Sequence, residues 1–349
     1  MKAALYNGTG EMEIVDFPRP EVGPGDALIS VANSGVCGSD LLVYASTNEP
    51  ETLPAGHEIS GEVVDVGDGV ERSLVGKRVA IDTVGQGRGC GSCWYCRMGQ
   101  QVLCERPGLK QGGFAEFIKR RSTGCYELPD TLTWEDGALV EPLAVSVHAM
   151  RRGSISGGET VLILGAGTIG LTAVAAARAM GAGRVIVSAK YDSQMQMART
   201  LGADEILSSE ADDLGENILG LTGGRGADLT IECVGGFTNT TLTQAVEFTR
   251  PQGRIVVTGG FRTPMTLGGF AGEWLAPLSK ELSVIFSSCY SILDGRHDYE
   301  IAIDLMRTQI VDLRKLVTHQ FPFQDIQVAF DTAADKSTGS IKVQVSVSA

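Results

Sequence analysis

The chain has 349 residues, a length typical of two domains of about 150 residues each, and its 43% hydrophobic content is enough to bury a large core. Its formal net charge of −13, from 29 Lys and Arg against 42 Asp and Glu, excludes a general binder of the nucleic-acid backbone, but it leaves room for a local basic pocket for one phosphate. The sequence has no apolar run long enough for a transmembrane helix and no apolar signal segment near residue 1, so we expect a cytoplasmic protein with no membrane partner.

Residues 1–152 consist of short β segments separated by frequent Gly and Pro, which indicates a compact β-rich domain with few long helices. The predicted strands are Ala27–Ala32, Gly61–Val66, Arg78–Asp82 and Phe114–Lys119. The pattern changes near residues 153–158, where strands begin to alternate with helical segments.

Six predicted strands follow, separated by helices, and such alternation is typical of βαβ units with a parallel sheet in a doubly wound α/β fold. The strands are Thr160–Leu164, Arg184–Ser188, Glu205–Leu207, Asp228–Cys233, Arg254–Thr258 and Leu282–Ser287, and the helices are Ile169–Met180, Ser193–Leu201, Asp212–Leu221 and Asn239–Thr249. After residue 288 the alternation stops. The remaining helix Tyr299–Arg307 and the β segments Val317–Phe321 and Ile341–Val347 are too few for a domain and are expected to pack on the first one. The predicted division is therefore 1–152 with 289–349, and 153–288.

The segment GAGTIG places Gly165, Gly167 and Gly170 between an apolar strand and a helix, which is the context that a dinucleotide-binding turn requires. The first glycine permits the tight turn, the second lets the backbone approach a pyrophosphate, and the third permits close packing of helix on strand. The alternative is a plain glycine-rich turn. The cofactor-binding candidates besides the three glycines are Thr168, Ile169, Ser188, Ala189, Lys190, Tyr191, Val234, Thr258 and Gly259.

The end of the second strand indicates which dinucleotide binds, because an acid there would bind the ribose 2′-hydroxyl of NAD. Ala189 stands at this position, followed by Lys190, so there is space and a counter-charge for a 2′-phosphate, with Ser188 as a hydrogen-bond donor. The competing hypothesis uses Asp192 as the ribose acid, but Asp192 resembles the N-cap of helix Ser193–Leu201. We therefore predict that NADP(H) is preferred over NAD(H).

Four cysteines lie close together in the spacing C-x2-C-x2-C-x7-C: Cys90, Cys93, Cys96 and Cys104. In a reducing compartment such a cluster indicates a metal before disulfides, and four thiolates from one sharply folded loop are typical of structural zinc. An iron–sulfur cluster is the alternative, although its usual spacings differ, and free thiols are another. The isolated Cys125, Cys233 and Cys289 are expected to be ordinary buried residues.

A second metal centre is indicated by Cys37, His57 and a glutamate, since a catalytic zinc takes about three ligands of cysteine, histidine and carboxylate type and keeps one position exchangeable. Each of these residues is a weak signal when taken singly. A lone histidine is more often structural than a metal ligand.

The segments GVCGSD, GHEISGEVVDVG, CGSCWYC, EPLAVSVHA and GAGTIG occur in this order, and together they resemble the zinc-containing medium-chain alcohol dehydrogenases, closest to the polyol and threonine dehydrogenase branch. The resemblance implies a GroES-like, partly open β-barrel catalytic domain with a Rossmann domain. It implies that Cys37 and His57 bind a catalytic zinc, and that Glu58 and Glu141 are the carboxylates that ligate it or exchange with its water; which one binds stays open.

The same resemblance implies interconversion of a secondary alcohol, of polyol, sugar or amino-alcohol type, and its ketone. It makes Ser39 the hydroxyl that exchanges the substrate proton. Leu42 stands where relatives often carry a relay histidine, so Tyr44 or a water chain is expected to take that role. Trp274 and residues 288–297 are expected near the pocket. The family also implies a homodimer or homotetramer, and the apolar strand Leu282–Ser287 needs a partner or a cover.

Two rival functions are compatible with parts of this sequence. The first is zinc-free quinone- or enoyl-reductase chemistry, against which both metal motifs argue. The second is a non-enzymatic, zinc-stabilised NADP(H)-binding redox sensor, which a zinc content of one per chain would favour over the two that an enzyme predicts.

Overall fold

A computed structural model describes residues 1–46, 49–271 and 274–348 of the chain. The strands in chain order are β1 Lys2–Tyr6, β2 Met12–Asp16, β3 Asp26–Val36, β4 Glu58–Val66, β5 Arg78–Asp82, β6 Phe117–Arg121, β7 Cys125–Glu127, β8 Thr160–Leu164, β9 Arg184–Ala189, β10 Glu205–Ser208, β11 Ala227–Glu232, β12 Thr249–Val257, β13 Phe270–Ala271, β14 Trp274–Leu275, β15 Ser283–Phe286, β16 Ile292–Leu293, β17 Arg296–His297, β18 Val317–Pro322 and β19 Lys342–Ser346.

The α-helices are shorter and fewer in residues 1–130 than in the rest of the chain. In chain order they are α1 Gly38–Ser46, α2 Trp94–Arg97, α3 Trp134–Arg152, α4 Thr168–Ala179, α5 Asp192–Thr200, α6 Leu214–Leu221, α7 Thr240–Phe248, α8 Ala276–Ser279, α9 Asp298–Arg307 and α10 Ile326–Ala334. Within the described residues, the helices are all too short or too polar to cross a membrane.

The residues group into two compact units. The first comprises Met1–Pro142, Tyr290–Gln309 and Leu313–Ala349, and the second comprises Leu143–Cys289 and Ile310–Asp312. The domain boundaries predicted from the sequence stay a prediction.

The second unit is built on a parallel sheet of six strands in the order β10-β9-β8-β11-β12-β15. Its central strands are almost continuously apolar, as strands covered on both faces must be, and β8 is buried from Val161 to Leu164. Helix α4 presents small residues, and Gly170 to Ala177 are all buried. The predicted α/β fold with a doubly wound parallel sheet is therefore confirmed.

The first unit contains a sheet in the order β18-β19-β3-β4-β5-β7, with β6 also paired to β3. The pairs are antiparallel except β18 with β19. Alternate residues of β3, β4 and β5 form an aliphatic core that includes Ile29, Ile59 and Ile81. Strand β19 lies beside β3, with Val343 opposite Val36, so the tail of the chain completes this sheet.

Candidate metal centres and cofactor site

The side chains of Cys37, His57 and Glu58 converge, and their ligand atoms all lie within 4.8 Å of one another. Cys37 lies between β3 and α1, and His57 directly precedes Glu58, the first residue of β4. Because β3 and β4 pair antiparallel, the end of one strand meets the start of the other, and Gly35 lies opposite Glu58. A thiolate, an imidazole and a carboxylate are the donor types that zinc prefers, so the residues fit this ion.

The close approach of β3 to Glu58 requires a glycine. A Cβ atom placed on Gly35 would lie 2.0 Å from Oε2 of Glu58, so any other residue at this position would displace the carboxylate. The sequence analysis had not assigned a role to Gly35.

The carboxylate of Glu58 is paired with a buried lysine. Nζ of Lys342, on β19, lies 2.6 Å from both carboxylate oxygens and donates a further hydrogen bond to the carbonyl of Val36 at 3.0 Å. Both charged side chains are only 1% exposed. Burial lowers the pKa of Lys342, but the charges of Glu58 and then Cys37 outweigh it, so the pKa is raised and the lysine stays cationic. This partner was missed in the sequence analysis.

His57 is oriented by a second buried acid, Asp40, in the first turn of α1. Its Oδ1 lies 3.7 Å from Nδ1 of His57, and its Oδ2 accepts a hydrogen bond from the backbone N–H of Cys37 at 2.9 Å. Burial raises the pKa of Asp40, while His57 opposes this. The pKa of His57 is well above its usual range, because the charges of Cys37 and Asp40 outweigh its burial. A carboxylate behind a metal-binding imidazole fixes its ring orientation.

Glu141, the other candidate carboxylate, lies on α3 and is not part of the group within 4.8 Å. It is buried, and burial raises its pKa to about 7, with His57 opposing and Glu58 adding to the effect. Of the two glutamates, the structure thus brings Glu58 to Cys37 and His57.

The two predicted proton-transfer residues have different surroundings on helix α1. Ser39 is exposed, two residues after Cys37. The hydroxyl of Tyr44 donates to the carbonyl of Gly10 and accepts a hydrogen bond from Nε2 of Gln327 at 2.6 Å, and its ring packs on Phe330. These contacts anchor α1 to α10, and they give no support to a relay role for Tyr44.

The four-cysteine loop brings its sulfur atoms together. Those of Cys90, Cys93, Cys96 and Cys104 lie within 4.8 Å of one another, and the Cys90–Cys96 and Cys93–Cys104 pairs are 4.0 Å apart. A tetrahedral zinc with bonds of about 2.3 Å separates its sulfurs by about 3.8 Å, so the residues fit this ion.

Backbone N–H groups stabilise the thiolates of this loop. The N–H of Cys93 donates to Sγ of Cys90 at 3.4 Å, and the N–H of Cys90 donates to Sγ of Cys104 at 3.3 Å. Hydrogen bonds from Ser92 and Cys93 lower the pKa of Cys90 to about 5. A negative sulfur is therefore favoured at Cys90, whereas burial raises the pKa of Cys96 to about 12.

The glycine turn after β8 has the geometry that the sequence predicts. Gly165 has a φ of +94°, and a Cβ on Gly170 would lie 1.8 Å from the carbonyl oxygen of Gly165. Gly167 is the residue at the start of α4, and a Cβ there would meet open space. The first N–H groups of α4 are therefore available to an anion, as in a pyrophosphate site.

The loops after β8, β11 and β12 meet at one edge of the parallel sheet, where the strand order reverses between β8 and β11. A Cβ on Gly165 would lie 2.4 Å from Cγ2 of Val234. The buried Glu232 accepts a hydrogen bond from the N–H of Val234 at 2.9 Å, and its carbonyl accepts from Oγ1 of Thr258 at 2.7 Å and from the N–H of Gly259 at 3.1 Å. Such a reversal is where dinucleotides bind in this type of sheet. Glu232 was not predicted.

The end of β9 carries the residues that the sequence predicts to select the cofactor. Ser188 and Ala189 are buried, and Oγ of Ser188 lies 3.4 Å from the N–H of Gly165. Lys190 is exposed, and its Nζ lies 2.7 Å from Oε1 of Glu210. A 2′-phosphate would have to replace this carboxylate, although exposed ion pairs are weak.

One prediction at this position is wrong. Asp192 was expected to be an N-cap, but Tyr191 occupies that position and Asp192 is the first residue of α5, with no side-chain capping bond. Aspartate is also favoured in the first turn of a helix, where the helix dipole stabilises it, so its place one residue further along is physically equivalent. The argument that capping removes Asp192 from the ribose is thereby weakened.

The residues expected near the pocket differ in exposure. Trp274, on β14, is 64% exposed. His297 is buried, caps the start of α9 through its ring, and has its Nε2 3.7 Å from Oδ2 of Asp82. These contacts indicate that His297 has a structural role, because its ring caps α9 and lies beside Asp82.

Comparison with known proteins matches two family models. Residues 23–130 match the alcohol dehydrogenase GroES-like domain, and residues 168–308 match the zinc-binding dehydrogenase domain. Sorbitol dehydrogenase of Bacillus subtilis (strain 168) is 32% identical over 362 residues, which cover 99% of this chain and 97% of that protein.

Solved structures agree with this result over the whole chain. Galactitol-1-phosphate dehydrogenase from Escherichia coli matches with a TM-score of 0.86 and 29% identity, covering 99% of this chain and 100% of the other. A putative zinc-binding dehydrogenase from Sinorhizobium meliloti 1021, bound to NADP, matches with a TM-score of 0.84 and 28% identity, covering 99% of each chain.

Proposed function

The chain belongs to the zinc-containing medium-chain alcohol dehydrogenases, in their polyol dehydrogenase branch, and we propose that Cys37, His57 and Glu58 form its catalytic zinc site. The convergence of these three side chains within 4.8 Å is the observation that supports the site. The reaction is the interconversion of a secondary alcohol and its ketone with a nicotinamide cofactor.

The chain's own residues prepare this reaction. Cys37, His57 and Glu58 would hold a zinc ion, which would supply Lewis acidity to the oxygen of an alcohol or a ketone. Asp40 holds the imidazole of His57, and Lys342 neutralises and positions the carboxylate of Glu58. We assign to the exposed hydroxyl of Ser39, which has no hydrogen-bond partner among the described residues, the transfer of the substrate proton.

The substrate class we propose is the polyols and sugar alcohols, because sorbitol dehydrogenase is among the relatives at more than 30% identity. The test measures turnover of a panel of vicinal diols, sugar alcohols and threonine. Nicotinamide absorbance monitors the reaction with each of the two cofactors. Turnover of a polyol with a zinc content of two per chain is the expected result. Absence of turnover on the whole panel, with one zinc per chain, would overturn the assignment.

We propose a second, structural zinc at Cys90, Cys93, Cys96 and Cys104. Four sulfurs at the spacing of a tetrahedral site, with backbone donors on the thiolates, support it. Metal analysis of the purified protein tests it directly, and iron with acid-labile sulfide would contradict it.

For the cofactor we propose a preference for NADP(H), supported by the small Ala189 and the adjacent charge of Lys190. Lys190→Ala should lower kcat/KM with NADP about tenfold, because a charge-assisted hydrogen bond is lost. It should leave kcat/KM with NAD unchanged. Asp192→Ala is the matched control. Equal or better efficiency of the unmodified protein with NAD would contradict the preference and would favour Asp192 as the ribose acid.

We also propose that the protein is a homodimer or homotetramer. Strand β15 ends the parallel sheet, pairs with β12 on one side, and exposes 52% of Phe286. An apolar edge strand invites pairing with a second copy. Light scattering should give a multiple of the 36.8 kDa chain mass, and a monomer would contradict the proposal.

A further inference from the structure

A cavity of about 390 Å³ lies beside the four-cysteine loop, within the first unit. Most of the charged side chains that line it are cationic. Five are cationic and one is acidic: Arg88, Arg106, Lys119, Arg120, Arg121 and Asp26. Such a cluster is unexpected in a protein with a net charge of −13.

The single carboxylate in the cavity is engaged by two of these cations. Asp26 lies 3.8 Å from Nζ of Lys119 and 3.6 Å from Nη1 of Arg121. Within the described part of the chain, Arg88 and Arg106 form no ion pair with a carboxylate, and their polar contacts are with Gly108 and with Ser92 and Cys90.

Arg120 is the buried cation of this cluster, with only 4% of the residue exposed. It donates to the carbonyls of Lys119 and Gln111, but its Nε has no hydrogen-bond partner among the described residues, nor does it lie in an ion pair with a carboxylate. Burial, together with the neighbouring charge of Arg88, lowers the pKa of Arg120 to about 10, and the charge of the buried Asp82 only partly opposes this. The fold thus buries a guanidinium that has no ion-pair partner among the described residues.

Neutralisation of the neighbouring zinc thiolates does not account for the whole cluster. Four thiolates and a zinc ion carry about two net negative charges, and only Arg106 contacts a sulfur, with Nη2 3.9 Å from Sγ of Cys90. Asp26, the buried Asp82 that acts on Arg120, and these two charges still leave the five cations in excess by one positive charge. An anionic ligand would balance the remainder.

We propose that this cavity binds a phosphate group. Arginine forks match the oxygens of a phosphoryl group, which offers three acceptor oxygens to several guanidinium groups at once, whereas a carboxylate offers two. The volume falls in the range of small-molecule pockets and exceeds what inorganic phosphate fills, so the ligand class is a phosphomonoester of a small, sugar-like molecule.

The test is calorimetric titration of the full-length, zinc-loaded protein at constant ionic strength, with the dinucleotide site filled by saturating NADPH, which cannot oxidise an alcohol probe. The probes are inorganic phosphate, galactitol 1-phosphate and, as reference, chloride. We expect saturable binding of both phosphates. Arg120→Gln should weaken it at least about tenfold, because a charge-assisted hydrogen bond is lost. If Arg120→Gln impairs folding, Arg88→Gln tests the same loss of phosphate affinity at a less buried arginine of the cavity.

The control is Arg72→Gln, which removes the same charge from an exposed arginine of the same unit outside the cavity. Tighter binding of galactitol 1-phosphate would identify an organic phosphate, and equal binding would identify free phosphate; either supports the site. Binding no tighter than chloride, or equal weakening by Arg72→Gln and Arg88→Gln, overturns it. Because the readout is binding, it succeeds or fails independently of the proposed dehydrogenase activity.

Discussion

The two groups of candidate zinc ligands in the first unit are assembled in different ways. The four sulfurs come from one loop within residues 90–104, and their charge is stabilised by backbone N–H groups of the same loop. Cys37, His57 and Glu58 come from the ends of two paired strands, and their partners Asp40 and Lys342 are charged side chains.

This contrast indicates that one group has a structural role and the other a catalytic role. An all-sulfur site with local donors offers four ligands and is saturated, which is typical of structural zinc. The mixed group offers three ligands held by charged neighbours, with the exposed Ser39 close in sequence, and three protein ligands are the number that a catalytic zinc takes when one position stays open for a substrate. Variants of each group should therefore fail in different ways.

The largest effect is expected from Cys37→Ala. Loss of a zinc ligand should lower kcat/KM by about 10⁴-fold or more, roughly 5 kcal/mol, because Lewis-acid stabilisation of the transition state disappears. Zinc content should fall from two to one per chain with unchanged circular dichroism. Cys125→Ala is the matched control, and a wild-type rate for Cys37→Ala would refute the site.

Cys96→Ala is expected to lower stability and to leave most of the activity intact. Stability should fall by ~4 kcal/mol or more, since structural zinc contributes ~10 kcal/mol to folding in small metal-dependent domains. The protein that remains folded should keep its second zinc and most of its turnover. Thermal unfolding with parallel metal analysis measures both, and an unchanged melting temperature would show that the loop is not a structural centre.

Lys342→Met tests the charged partner of the mixed group. It should destabilise the protein by about 3–5 kcal/mol, because the buried carboxylate of Glu58 loses its counter-charge. The double variant with Glu58→Gln should recover most of the stability while staying inactive. Denaturant unfolding of both variants measures this, and equal instability of single and double variants would contradict the pairing.

The smallest effect is expected from Asp40→Asn. Neutralising the acid behind His57 should reduce zinc affinity or turnover 10- to 100-fold, the usual range for such outer partners. Competition with a zinc chelator measures the affinity. The exposed Asp68→Asn in the same unit is the control, and matching behaviour of the two variants would remove Asp40 from the centre.

Features that depend on neighbours in sequence could be predicted. The six parallel strands, the Gly165 turn and the four-cysteine loop each follow from local periodicity or spacing. The partnership of Lys342 with Glu58 could not be predicted, because 284 residues separate them and a lysine in a strand pattern indicates solvent. The burial of Arg120 was equally hidden, since burial of a charge leaves no trace in local composition.

The position of Lys342 has a consequence for how the protein is made. Chains are synthesised at about 5–20 residues per second, so Glu58 precedes Lys342 by roughly 15–60 seconds. During that interval β3 and β4 can pair, but the carboxylate between them has no cation to accompany it into the core. Closure of the proposed catalytic centre is thus a late event of biosynthesis, and a nascent chain interrupted before β19 carries Cys37, His57 and Glu58 without the charge that lets Glu58 be buried.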